Sequence, residues 1–188
     1  FGRYAPSISF PETHDTERLA AESGGSEAVQ RQRYAFAALF SAGLMMPIGY
    51  EYGFRKKLHV VETKPEDWEE PAFDLVPFVT RVNKLKACRA LLHGEGRLEA
   101  KTPLHEDVLV LERRSREAPE RIGWIVVNKR TRDSRSCDNA AVIGSNPARR
   151  MIRICRDDAP FNGEAVSDTI GLAPAEVVFI VDPGRTVG

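Results

Sequence analysis

Hydrophobic positions recur with two different periods along the chain, one in the first half and another in the second. Residues 5–11 and 44–50 are short apolar runs, each followed by a polar loop, and this pattern predicts two β-strands. After each run, apolar residues recur every three or four positions, across residues 27–42 and 74–92, which predicts two amphipathic helices. Two strand–loop–helix units in succession indicate an α/β layer with parallel strands.

Local features refine the two predicted helices. Ser26 is a favourable N-cap for the first helix, and Glu27 lies in the first turn, where the helix dipole favours a negative charge. Gly43 follows the apolar pattern and is predicted to end that helix as its C′ residue. In the second helix, the spacing places Cys88 on the inner side, as a small core residue.

From about residue 96 the apolar period changes to two, and turn-forming residues separate the apolar segments. No helical pattern intervenes, so this part predicts a small antiparallel β-sandwich. Trp124 lies between Ile122 and Val126, which places it on the core face. The change of period predicts a domain boundary near residue 94, with domains at 1–94 and 95–188. Strands are predicted at 108–113, 122–128, 151–155 and 177–182.

Charge and cysteine content exclude several classes of protein. The 27 lysines and arginines balance the 27 aspartates and glutamates, so no net field favours nucleic acid or an anionic membrane as a partner. No apolar run approaches the roughly 20 residues of a membrane-spanning helix. The basic run at 130–135 is interrupted by an aspartate and predicts a solvated hairpin. Three cysteines without CxxC spacing predict no disulfide framework, no metal site and a reducing, cytoplasmic location.

The clearest chemical feature is the pair His14–Asp15, placed where the first predicted strand ends. An imidazole can donate a hydrogen bond to a sugar hydroxyl, and a carboxylate can accept one or two. These bonds strengthen as the sugar ring flattens toward an oxocarbenium ion. The alternative is that Asp15 caps the next turn while His14 lies in a solvated loop.

The order of motifs resembles the end of the alpha-amylase family, glycoside hydrolase family 13. In that family the seventh barrel strand ends in a phenylalanine followed by His-Asp, which corresponds here to Phe10, His14 and Asp15. The eighth strand ends in Gly-x-Glu, which corresponds to Gly49 and Glu51. The resemblance implies an α/β plus all-β fold: the last two βα units of a TIM-type (β/α)8 barrel, followed by the predicted β-sandwich.

The resemblance also implies roles for individual residues. Asp15 would stabilise the transition state, while His14, Glu51 and Tyr52 would bind an alpha-glucan or maltooligosaccharide. The family's nucleophile, in a Gly-x-Arg-x-Asp setting, and its general acid do not occur in this chain. We therefore expect the chain alone to be inactive, with the remainder of the same enzyme as its partner. No cofactor is expected, and calcium ligands in this family usually lie upstream.

Several alternatives stay open at this point. Glu51 could face solvent, and Glu12 is expected to lie outside direct contact with substrate. Tyr52 and Trp68 could stack on a sugar, although Trp68 could instead cover an apolar patch beneath its loop. The element at 64–68 resembles one in the maltosyltransferase branch that uses maltose 1-phosphate. The alternative function is a non-catalytic module that binds carbohydrate or protein, and open strand edges could lead the chain to self-associate.

Overall fold

A helical layer, a parallel pair of strands and two antiparallel sheets make up the fold. The computed structural model describes residues 6–102 and 105–182. The helices are α1 (Leu19–Glu22), α2 (Glu27–Phe40), α3 (Val76–Ala87), α4 (Ala90–His93) and α5 (Asn139–Ile143), with 3-10 turns at Tyr50–Tyr52 and Pro65–Asp67. The strands are β1 (Ile8–Ser9), β2 (Gly43–Leu44), β3 (Gly96–Lys101), β4 (Val108–Ser115), β5 (Ile122–Asn128), β6 (Arg135–Asp138), β7 (Arg150–Arg153), β8 (Glu164–Ala165), β9 (Thr169–Leu172) and β10 (Val177–Val181).

The first two strands are parallel, as predicted, but they are much shorter than the apolar runs that contain them. β1 and β2 pair over two residues each, in place of the predicted 5–11 and 44–50. Residue 5 lies outside the described part of the chain. Pro11 and Pro47 have no amide hydrogen to donate to a sheet, so the pairing ends before each of them.

The first predicted helix is confirmed as α2, although it is slightly shorter than expected. The Ser26 hydroxyl accepts a hydrogen bond from the Val29 amide at 3.4 Å, which confirms the predicted N-cap. Gly43 does not end the helix; it lies in β2. A Cβ at Gly43 would lie 2.8 Å from Cγ1 of Ile8, so glycine is required there for the close approach of the two strands.

The second predicted helix, 74–92, is interrupted and forms α3 and α4. Arg89 separates them in an extended conformation, with φ −118° and ψ 101°. Cys88 is the C-cap of α3 and is exposed, so its predicted place on the inner side is wrong. A continuous helical period places Cys88 on the apolar stripe, whereas the break turns its side chain outward.

The second half of the chain contains the four predicted strands and several elements that the pattern did not predict. The segments 108–113, 122–128, 151–155 and 177–182 correspond to β4, β5, β7 and β10. β3, β6, β8, β9 and the helix α5 were missed, so the expectation of no helix is wrong. The helix α5 and the strand β8, with five and two residues, are too short for a period to be recognised, whereas β3 and β6 are rich in polar residues.

Two antiparallel sheets enclose one apolar cluster. The larger sheet has six strands in the order β3-β4-β5-β10-β7-β8, and the smaller pairs β6 with β9. Trp124 and Ile180 of the large sheet pack with Cys137 and Ile170 of the small one. Trp124 is buried, so its predicted place on the core face is confirmed.

The opposite face of the large sheet packs against the helices. Ile125 and Phe179 of this face belong to the same buried cluster as Tyr34 of α2 and Phe78 of α3. This cluster therefore includes residues from both sides of position 94. The division into domains at 1–94 and 95–188 stays a prediction.

The basic run at 130–135 connects the two sheets. Its neighbours β5 and β6 do not pair with each other, so the segment is an exposed connection and not the expected hairpin. Arg130 and Arg135 each form an ion pair with Asp107, at 3.0 and 2.9 Å. Across residues 6–102 and 105–182, no helix is long and apolar enough to cross a membrane.

Candidate functional site

His14 and Asp15 lie in the loop directly after β1, and both side chains are open to solvent. Their side chains are 48% and 82% exposed, and His14 Nε2 lies 3.3 Å from Asp15 Oδ1. The Asp15 amide donates to the hydroxyl of Thr13 at 3.2 Å, which helps to fix the local turn. The pair therefore presents a nitrogen and two carboxylate oxygens at the end of a parallel strand.

Helix capping after this loop is performed by a residue other than Asp15. The first amide of α1, that of Leu19, donates to Glu12 Oε2 at 2.6 Å. Glu12 is buried, and burial is the main cause that raises its pKa above the usual value. The capping role suggested as an alternative for Asp15 thus belongs to Glu12, which leaves the Asp15 carboxylate free of that function.

Glu51 and Tyr52 lie in the 3-10 turn that follows β2. Gly49 and Gly53 flank this turn with positive φ values of 86° and 68°, which glycine adopts readily. Glu51 Oε2 is buried, and no hydrogen-bond donor reaches it within the described part of the chain. A buried carboxylate oxygen without a donor is costly, so Glu51 gains free energy if its side chain moves to a position where a donor reaches it.

Tyr52 begins a row of three aromatic side chains. Its ring centroid lies 5.8 Å from that of Phe54, and Phe54 lies 6.1 Å from Trp68 at a steep angle. Trp68 is 54% exposed, so it covers Phe54 with one edge and leaves much of its surface open to solvent. Trp68 therefore packs against an apolar residue, as one alternative expected, and also leaves an aromatic surface exposed, as the other alternative requires.

Arg18 connects the two loops and was missed in the sequence. Its guanidinium pairs with Glu12 and also donates to backbone carbonyls of Ile48 and Phe54, on either side of the turn that carries Glu51. No direct hydrogen bond or ion pair joins His14 or Asp15 to that turn within residues 6–102 and 105–182. In the sequence, Glu12 and Arg18 lie on either side of His14–Asp15, which could have suggested that they pair. Ordinary loops are also rich in charged residues, so this signal was weak.

Metal ligands do not cluster in the part of the chain that the structure describes. No group of three or more histidine, cysteine, aspartate or glutamate side chains lies close enough there to hold an ion. The exposed imidazole, carboxylate and aromatic side chains of these loops offer hydrogen bonds and aromatic contacts.

Comparison with solved structures identifies proteins of similar fold. No protein-family model matches the sequence, and no curated protein sequence matches it. Among solved structures, a noncanonic maltogenic alpha-amylase from Thermotoga neapolitana is 17% identical, with a TM-score of 0.64 over 97% of this chain. A gamma-CGTase from alkalophilic Bacillus clarkii is 18% identical, with a TM-score of 0.63 over 93% of the chain. A debranching enzyme from Nostoc punctiforme is 14% identical, with a TM-score of 0.57 over 93% of the chain.

These structural neighbours are enzymes of the alpha-amylase family. The identities are low, so the likeness shows a shared fold. The chain spans 42%, 26% and 33% of the length of these three proteins, respectively. It thus has the fold of one part of an alpha-amylase-family enzyme.

Proposed function

We propose that the chain is the C-terminal part of a retaining enzyme of the alpha-amylase family that acts on alpha-glucans. Asp15 stabilises the transition state, and His14, Glu51 and Tyr52 bind the sugar. The nucleophilic aspartate and the acid glutamate come from sequence outside this chain, so the chain alone has no turnover. One observation carries the proposal: His14 and Asp15 are exposed at the end of a parallel strand, in a fold shared with alpha-amylase-family enzymes.

In this proposal β1 and β2 are the seventh and eighth strands of a (β/α)8 barrel, and β3–β10 form the β-sandwich domain. Exposed apolar side chains support this assignment. Large apolar residues in and beside the two parallel strands are 44–60% exposed, although strands of this kind are normally covered on both faces. They are Ile8, Phe10, Met45 and Ile48. The other six barrel strands would cover them, and without those strands the chain would self-associate.

The chemistry follows from the geometry of the loop after β1. The two oxygens of Asp15 accept hydrogen bonds from two hydroxyls of one glucose ring, and His14 donates to a hydroxyl of the same ring. These bonds shorten as positive charge develops at the anomeric carbon and the ring flattens. Glu51 binds the sugar from the neighbouring turn once its side chain rotates to expose the carboxylate, because Oε2 is buried without a hydrogen-bond donor among residues 6–102 and 105–182.

Kinetics of the full-length gene product on maltooligosaccharides test the proposal. We expect Asp15→Ala to lower kcat on the order of a hundred- to a thousandfold, as happens when a transition-state hydrogen bond is removed. The matched control is Asp158→Ala, an exposed aspartate in the loop after β7, which should leave kcat unchanged. Equal activities of the two variants would refute the role of Asp15. Glucan or protein binding by a full-length product without turnover would favour the alternative of a non-catalytic module.

The segment 64–68 resembles an element of the maltosyltransferase branch, so we propose transfer from maltose 1-phosphate as an alternative to hydrolysis within this family. Pro65–Asp67 form a 3-10 turn, and Lys56 pairs with Asp67, so the segment is held near the aromatic row. Release of inorganic phosphate from maltose 1-phosphate by the full-length protein tests this assignment. Hydrolysis of maltooligosaccharides without phosphate release would exclude it.

We also infer a reducing, cytoplasmic location, which labelling of the full-length protein in cells would test.

A further inference from the structure

A buried ion pair closes the loop that carries His14 and Asp15. Arg18 Nε lies 3.0 Å from Glu12 Oε1, and the two side chains are 1% and 3% exposed. The second Glu12 oxygen accepts from the Leu19 amide, so one carboxylate fixes both the arginine and the start of α1. The loop between them is therefore held at both ends while its catalytic pair stays open to solvent.

The same guanidinium fixes the neighbouring turn. Arg18 Nη2 donates to the Ile48 carbonyl at 3.1 Å, and Nε donates to the Phe54 carbonyl at 3.3 Å. A Cβ at Gly49 would lie 3.0 Å from Arg18 Nη2, so the turn leaves space for the guanidinium. The planar guanidinium donates to two separate carbonyls while its charge lies beside the Glu12 carboxylate, a combination that a single ammonium group does not reproduce.

We propose that Glu12 and Arg18 are positioning residues. They fix the loop of His14 and Asp15 relative to the turn of Glu51 and Tyr52, so that both loops contact the same sugar. The proposal rests on the proposed function and deepens it. Removing both charges from water costs free energy that offsets their attraction, so the pair contributes little net stability. A role in fixing the geometry of the loops accounts for the buried pair better than stability does. The pair provides a fixed geometry between two loops that share no other direct hydrogen bond or ion pair among residues 6–102 and 105–182.

Arg18→Lys in the full-length gene product tests the proposal. Lysine keeps the charge opposite Glu12 but loses the bonds to the two carbonyls. We expect kcat on maltooligosaccharides to fall on the order of a hundredfold, as for a misplacement of catalytic groups by about 1 Å, with a smaller change in KM. The control is Arg31→Lys, an arginine that pairs with Glu27 at 2.8 Å on α2 and should leave kcat unchanged. Circular dichroism at the assay temperature shows that each variant is folded.

The double variant Asp15→Ala/Arg18→Lys separates a positioning role from a general loss of structure. If Arg18 acts in part through Asp15, the double variant loses less activity than the product of the two single losses. Multiplied losses, or a normal kcat in folded Arg18→Lys, overturn the positioning role while leaving the proposed function intact. A wild-type protein that turns over no alpha-glucan overturns the proposed function itself. If Arg18→Lys does not fold, Glu12→Gln in the same cycle gives the same decision.

Discussion

Arg113 joins the large sheet to the ends of two helices, and its removal should strongly destabilise the protein. The side chain is 1% exposed and extends from β4 to the C-terminal ends of α2 and α4. It donates to the carbonyls of Leu39, Phe40, Leu91 and Gly94. The last carbonyls of a helix have no partner within the helix, and a cation at this end is favourable.

The expected loss follows from these four acceptors. Arg113→Met keeps an unbranched apolar stem but removes the guanidinium and every donor. If each buried carbonyl loses about 1 kcal/mol, the total is about 4 kcal/mol. Relief of the cost of burying a guanidinium offsets part of this, so we expect a net decrease in the free energy of unfolding of about 2–4 kcal/mol. Burial lowers the pKa of Arg113, the direction expected when a guanidinium is removed from water.

Equilibrium urea unfolding of the chain, followed by circular dichroism, measures the decrease. Arg114→Met is the matched control because Arg114 follows Arg113 in β4 and its side chain is partly exposed. Arg114 pairs with Glu112 at 2.8 Å, and this carboxylate keeps Lys101 at 3.2 Å when Arg114 is replaced, so we expect a smaller decrease than for Arg113→Met. If the two variants unfold at the same urea concentration, the reasoning that assigns stability to the bonds of Arg113 is refuted.

Two further predictions concern titratable groups. Burial, together with the charge of Arg113, lowers the pKa of Lys86 from 10.5 to about 8. Because the unfolded chain binds this proton more tightly than the folded one, the free energy of unfolding should rise with pH between about 8 and 10.5. Lys86→Met should lack this contribution in urea unfolding across that interval, and an unchanged slope would contradict it. Cys88 is exposed, Cys137 is buried, and burial raises the pKa of Cys155 to about 12. An aromatic disulfide reagent should therefore label Cys88 rapidly in the native chain and all three thiols after unfolding; rapid native labelling of Cys88→Ser would contradict this.

The sequence determined those features that depend on short-range patterns. The period of apolar residues predicted α2 and the parallel order of β1 and β2, because side-chain spacing reports directly on which face is buried. The alternation around Trp124 predicted its burial for the same reason. His14 and Asp15 could be predicted as candidates because they are neighbours in sequence directly after a predicted strand, and their site role stays a prediction.

Only the tertiary structure decided the relations between distant residues. Arg18 lies far along the chain from Ile48 and Phe54, and no local pattern shows that its guanidinium connects them. The side chain of Cys88 points outward because the helix breaks at Arg89, and the period of apolar residues does not reveal this break. The physical reason is common to these cases. Local spacing fixes which residues share a face, whereas the partner of a long polar side chain depends on how separate elements pack.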